Sequence, residues 1–140
     1  MFEKARDALT SLHQRGLLET GHFDLVAIRK QMESYEMLIK RSNSSSAIRS
    51  FLAEYDALMR LVEVVLICSG FRLGSQPHRV LKDVVDSLVV NSGIRDVAAT
   101  RHDAKKMSIA PRQAAQDQLR FIRLLIESAV EQETKPLLNN

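Results

Sequence analysis

The sequence predicts an all-α protein, a bundle of five or six helices, and three observations carry that reading. Apolar residues recur at the helical spacing of about 3.6 along every long segment. Short breaks separate those segments, at Gly16 to Thr20, Ser42 to Ser46, Gly70 to Gln76 and Lys105 to Ala110, each of a length that joins neighbouring helices in a bundle. No stretch alternates apolar and polar residues as a half-buried strand does.

Size and composition agree with this. The 140 residues make one domain, spanning 1–140, large enough to bury a core without disulfides or metals. A chain 45% hydrophobic and 26% charged is globular and not disordered. Only 5% of residues are aromatic and none is Trp, which argues against a base-stacking sheet as a binding surface. Cys68 stands alone among aliphatic neighbours, so no internal disulfide or thiolate metal site can form, and it reads as a small buried residue in a reducing, cytoplasmic setting. No apolar run reaches the ~18 residues of a membrane span, and MFEKARDALT is too charged for a signal peptide. A net charge of +3 and a pI of about 9.2 permit an anionic partner without requiring one.

The first helix runs from Phe2 to Arg15, with Ala5, Leu9 and Leu12 in its apolar stripe and Gly16 as its stop. His13, near its end, faces the negative pole of the helix and has a structural reading. The second begins between Thr20 and Phe23 and ends near Lys40, with Phe23, Val26 or Ala27, Met32, Tyr35, Leu38 and Ile39 inward. Ser42 to Ser46 then forms a turn, because small polar side chains compete for backbone hydrogen bonds. The third helix is the longest and central one, from Ala47 to Cys68, closed by Gly70. Its LVEVVLIC end also fits a buried strand by β-branched content, but the helical period continues into it from Ile48. Gly70 to Gln76 is a loop, and Pro77 opens the fourth helix, whose Val80, Leu81, Val84, Val85, Leu88 and Val89 face inward. Asn91, Ser92 and Gly93 end it. After a further short helix, Lys105 to Ala110 is a loop, and Pro111 starts the last helix, which runs to about Gln132. Leu119, Ile122, Leu125, Ile126, Ala129 and Val130 make its inner face, Arg112, Arg120 and Arg123 lie on its other sides, and ETKPLLNN is frayed.

Gly93 to Pro111 gathers the candidate site. Arg95 and His102 lie at i and i+7, nearly two turns apart, and project from one side of a helix with only Ala98 and Ala99 between them. Arg101 reaches the edge of the same face. An arginine clamps a phosphate and an imidazole moves a proton near neutrality, so this face suits phosphate chemistry. The ordinary reading of such residues on a helix is a solvated surface. A second Arg and His pair, Arg72 and His78, flanks the turn before the fourth helix, where free amides can meet an anion.

An all-helical domain carrying Arg95-Asp96 and then His102 just before its last helix resembles the HEPN superfamily, whose mark is R-x4-6-H with a polar residue after the arginine. The GFRLGSQPHRVLKDVVDSL segment resembles the Gly-aromatic-Arg turn of its small bacterial members. A second alignment, over Arg101 to Lys106, ends on Lys106 and leaves no catalytic histidine. The resemblance implies a HEPN-like bundle that acts as a homodimer on RNA or a nucleotide, as a metal-independent, toxin-type endoribonuclease needing no cofactor. In that reading Arg95 holds the scissile phosphate, His102 transfers the proton, and Asp96 or Asp103 orients His102; Arg101, Asp96, Arg72 and His78 are binding candidates. The alternative it implies is a catalytically inactive module that binds a protein partner, an antitoxin or a nucleotidyltransferase. A plain helical interaction domain is a third reading.

Overall fold

Helix α3, Ala47–Cys68, is the axis of the molecule because its sequence leaves few polar positions. Phe51, Tyr55, Leu58, Leu61, Val62, Val65 and Leu66 are all buried, and apolar positions fall on more than one side, so neighbours must cover several of its faces. The computed structural model describes residues 2–138. In chain order these form α1 (Phe2–Gln14), β1 (Leu18–Thr20), α2 (Leu25–Arg41), α3, β2 (Phe71–Leu73), α4 (Pro77–Leu88), α5 (Ile94–Met107) and α6 (Gln113–Leu138). The protein is an all-α bundle with six helices and one small sheet among the described residues. Helices α2, α4, α5 and α6 pack on α3, while α1 packs on α4. No helix among the described residues is long and apolar enough to cross a membrane.

The serine tract works as a turn with a cap at each side. Ser42 Oγ donates to the Ile39 carbonyl (2.6 Å), and Ser46 Oγ accepts from the Arg49 amide (3.3 Å) at the start of α3. These bonds satisfy backbone groups that a helix end leaves open, so α2 can fold back along α3. Cys68, at the end of α3, is half-buried; burial and then the nearby Glu133 carboxylate push its thiol up to about 11.

Four boundaries differ from the sequence reading. Thr20 belongs to a strand, not to α2: β1 and β2 pair antiparallel, with Leu18 opposite Leu73, Glu19 opposite Arg72 and Thr20 opposite Phe71. Strands of three residues are too short to show a period, and their partners are remote in sequence. Gly74 lets them close, since a Cβ there would lie 2.9 Å from the Leu17 carbonyl oxygen. His13 packs beside this sheet, its ring 5.4 Å from that of Phe71.

Helix α2 begins after Asp24, whose carboxylate accepts from the amides of Val26 (3.0 Å) and Ala27 (3.2 Å); Phe23 is exposed rather than in the core, and of the pair Val26 and Ala27 it is Val26 that is exposed and Ala27 that is half-buried. Helix α5 does not stop before Lys105. Ala104 to Met107 are ordinary helix residues, and the break falls at Ser108, which takes a left-handed conformation (φ 54°) while the Ile109 amide bonds back to the Asp103 carbonyl. Helix α6 starts at Gln113, after Pro111, and continues past Gln132 to Leu138. Pro136 sits in its last turn, where it removes one backbone donor without ending the helix, and Thr134 is buried with its hydroxyl on the Val130 carbonyl (2.7 Å). Asn139 and Asn140, the end of the segment read as frayed, lie outside the described residues.

Arg123 also corrects the sequence reading, because it points inward. Its Nε donates to Glu54 Oε2 (2.8 Å) and its Nη1 to the Tyr35 hydroxyl (2.7 Å) and to Glu127 Oε2 (3.1 Å). This polar set ties α2, α3 and α6 together. Leu125, by contrast, is 39% exposed on α6 and not part of the core.

Candidate functional site

The α4–α5 connection fixes where the site residues point. Gly93 takes φ 70°, a left-handed turn that glycine adopts without strain, and starts α5. Ser92, almost fully buried, holds the corner: its Oγ donates to Asp86 Oδ1 (2.7 Å) and accepts from the Ile94 amide (3.1 Å), while the Gln118 side chain donates to its carbonyl. Helices α4, α5 and α6 are thereby joined at one residue. Ile94 and Val97 then bury one face of α5, and Arg95, Ala98, Arg101 and His102 are turned toward α4 and α3.

Between these helices lies a pocket of about 370 Å³. Tyr55 of α3 lines it, His78 and Lys82 enter from α4, and Arg95, Ala98, Ala99, Arg101 and His102 enter from α5. No carboxylate is among the lining residues. Tyr55 is buried to 1% exposure, and the Arg101 Cζ stands 5.0 Å from the centre of its ring, within the range of a cation–π contact. Arg101 Nε is buried and has no hydrogen-bond partner. The His78 ring leans on the same tyrosine, 6.2 Å between centroids. Burial lowers the His78 pKa, and the positive charges of Arg101, Lys105 and Lys82 add to that against the opposing Asp56. Burial first, opposed by Arg101, raises the Tyr55 phenol and keeps it protonated.

Of the sequence-predicted residues, Arg95, Arg101, His102 and His78 come together here. Arg95 is the least free of them. Its Nη2 lies 3.1 Å from Asp83 Oδ1 and its Nε 3.5 Å from Asp86 Oδ2, so its charge is already shared with two carboxylates of α4; Asp83 also meets Arg15 at 3.4 Å. Asp96 and Arg72 are elsewhere. Asp96 and Asp103 face a separate cleft of about 620 Å³ between α5 and α6, with Arg112 and Gln118, and do not line the pocket that holds His102. Arg72 is on β2, paired across the sheet with Glu19 at 3.2 Å.

The sequence reading missed Tyr55 and Lys82. Lys82 carried a usable signal, since it follows His78 by one helical turn and must share its face. Tyr55 carried none, because a core aromatic at helical spacing looks the same whether or not one side borders a cavity.

Chemically, the pocket offers a fixed guanidinium, an ammonium and two imidazoles over an aromatic wall. Such a set binds a phosphate ester and can move protons on it. No protein-family model, curated protein or solved structure matches the chain, and the functional reading rests on this chemistry.

Proposed function

We propose that the pocket between α3, α4 and α5 binds a phosphodiester of RNA and cleaves it without a metal, as a HEPN-like ribonuclease. One observation carries the reading: Arg101 stands on Tyr55 with a buried Nε that has no partner, in a pocket whose lining holds four further cationic or imidazole groups and no carboxylate. With its Nε closed off, that guanidinium is held in place against the tyrosine, and an anion entering the pocket meets the rest of a fixed, charged donor group. Arg101 takes the phosphate-holding role that the resemblance gave to Arg95, whose guanidinium serves instead to strap α5 onto α4. His102, exposed at the pocket rim, supplies the proton transfer.

The test is cleavage of mixed RNA in EDTA. The unmutated protein gives fragments; His102→Ala binds RNA within about 3-fold of it and loses cleavage by ~100-fold or more, as expected of a group that acts mainly in the transition state. Arg101→Ala weakens binding by ~10-fold or more, the scale of a charge-assisted hydrogen bond. Arg95→Ala costs about 1 kcal/mol of stability or less, as exposed ion pairs do, and little affinity. Equal losses of binding at Arg95 and Arg101 would return the phosphate to Arg95.

A second reading, a module without catalysis that docks on an antitoxin or nucleotidyltransferase partner or on a second copy, rests on a different feature. Phe121, Leu124 and Leu125 expose 54%, 50% and 39% of their surfaces at neighbouring positions of α6. Absence of both RNA binding and cleavage, with Phe121→Ser abolishing self-association or partner binding, selects that reading.

A further inference from the structure

We infer that His78 is the second acid–base group of the α4–α5 pocket, the general base that takes the 2′-hydroxyl proton of RNA, and that one chain holds the complete site. This rests on the reading of the pocket as an RNA-cleaving site and adds a residue to it.

The geometry divides the pocket into two sides. His78 and Lys82 enter from α4, Arg101 and His102 from α5, and Tyr55 lines it from α3. A phosphate held by Arg101 and Lys82 lies between an imidazole on each side. That is the arrangement an in-line displacement needs, with a base beside the attacking oxygen and an acid beside the leaving one. Which imidazole does which follows from their surroundings. His78 leans on buried Tyr55 with Arg101, Lys105 and Lys82 facing it and Asp56 opposing them, so it is held neutral at physiological pH and can accept a proton. His102 is therefore the acid.

The step balances. The 2′-hydroxyl proton passes to His78, the 2′-oxygen bonds to phosphorus, the bond from phosphorus to the 5′-oxygen breaks, and His102 gives its proton to that oxygen. The products are a 2′,3′-cyclic phosphate and a 5′-hydroxyl. Solvent then returns His78 to neutral and His102 to its protonated form, and nothing is oxidised or reduced. Both imidazoles come from the same chain, so the site needs no residue from a second subunit, in contrast to the shared cleft that the resemblance implies.

The experiment follows RNA cleavage in EDTA across pH for the unmutated protein, His78→Ala, His78→Gln and His102→Ala, with circular dichroism to check folding and a 2′-deoxy oligonucleotide, which cannot react, to measure binding. Both His78 variants are expected to bind the deoxy strand within about 3-fold, to cleave RNA ~100-fold or more slowly, and to lose the acidic limb of the pH–rate profile. A mixture of His78→Ala and His102→Ala chains is expected to stay inactive, because neither chain holds both groups. Cleavage that disappears with His102→Ala but persists at the full rate with His78→Gln overturns this inference and leaves the proposed function standing. Recovery in the mixture also overturns it, by showing a site shared between chains. No cleavage by the unmutated protein overturns both.

Discussion

His78 owes its character mostly to neighbours that come from other elements, and that gives it a signature in stability. Its folded pKa lies below the ordinary 6.5, through burial first and then the charges of Arg101, Lys105 and Lys82, against Asp56. The unfolded chain therefore binds a proton at His78 where the folded chain does not. Stability from this residue is full above pH 6.5 and falls as the pH drops from there toward the lowered value, below which it changes no further. Urea unfolding between pH 7.5 and 5, as about the range where a histidine acts, should show the unmutated protein losing stability relative to His78→Gln; parallel curves would refute the shift. At this scale the sequence was partly legible. The i, i+7 spacing did put Arg95 and His102 on one side of a helix, but the partners that neutralise Arg95, Asp83 and Asp86, belong to another helix, and no local pattern announces them.

Elements were legible where a period is long enough to read. Ala47–Cys68 and the start of α4 at Pro77 follow directly from apolar spacing and from proline at a first helical position. The paired strands were not legible, because each has three residues and the contact that defines them is made across the whole of α2 and α3. The end of α5 was hidden for another reason: Ser108 takes the left-handed turn that glycine usually marks. Gly74 is the testable point of the sheet. A side chain there meets the Leu17 carbonyl at 2.9 Å, and backbone cannot move aside as a flexible side chain does. Gly74→Ala should cost ~1–3 kcal/mol, the usual scale of overpacking, read as a lower midpoint in thermal unfolding, while Gly16→Asn, where space is open but the backbone is left-handed (φ 75°), should cost ~1 kcal/mol or less, since asparagine tolerates that conformation better than other side chains.

Across the whole molecule, the buried polar set around Arg123 decides how α2, α3 and α6 sit together. Glu54 is 6% exposed and receives the Arg123 Nε at 2.8 Å, with Tyr35 and Glu127 completing the guanidinium. Burial, with the Glu127 hydrogen bond adding to it, raises the Tyr35 phenol, so the hydroxyl stays protonated. Removing Glu54 takes away the hydrogen bond to Arg123 Nε and leaves Glu127 as the remaining carboxylate of the set, so Glu54→Ala should cost ~1–3 kcal/mol in urea unfolding, the scale of a lost hydrogen bond to a charged group. Replacing both Glu54 and Arg123 by apolar residues should recover part of that loss, since the pair itself is worth less than its rupture. A glutamate on the buried, otherwise largely apolar face of α3 was the signal for this arrangement. Its partner could not be named from the sequence, because an arginine on an amphipathic helix is assigned to solvent by default.

The single thiol gives this bundle an internal clock. Cys68, pushed up to about 11 by burial and by Glu133, is almost wholly protonated at neutral pH, and only the thiolate reacts with an alkylating reagent. It becomes fully reactive when α3 opens at its C-terminal end, so the rate of alkylation by iodoacetamide in native buffer measures how often that opening occurs. Destabilising the distant Glu54 site should speed the reaction if α3 opens as one unit with the core, and leave it unchanged if the end of the helix opens by itself. Mass spectrometry of the alkylated chain over time distinguishes the two with no added label.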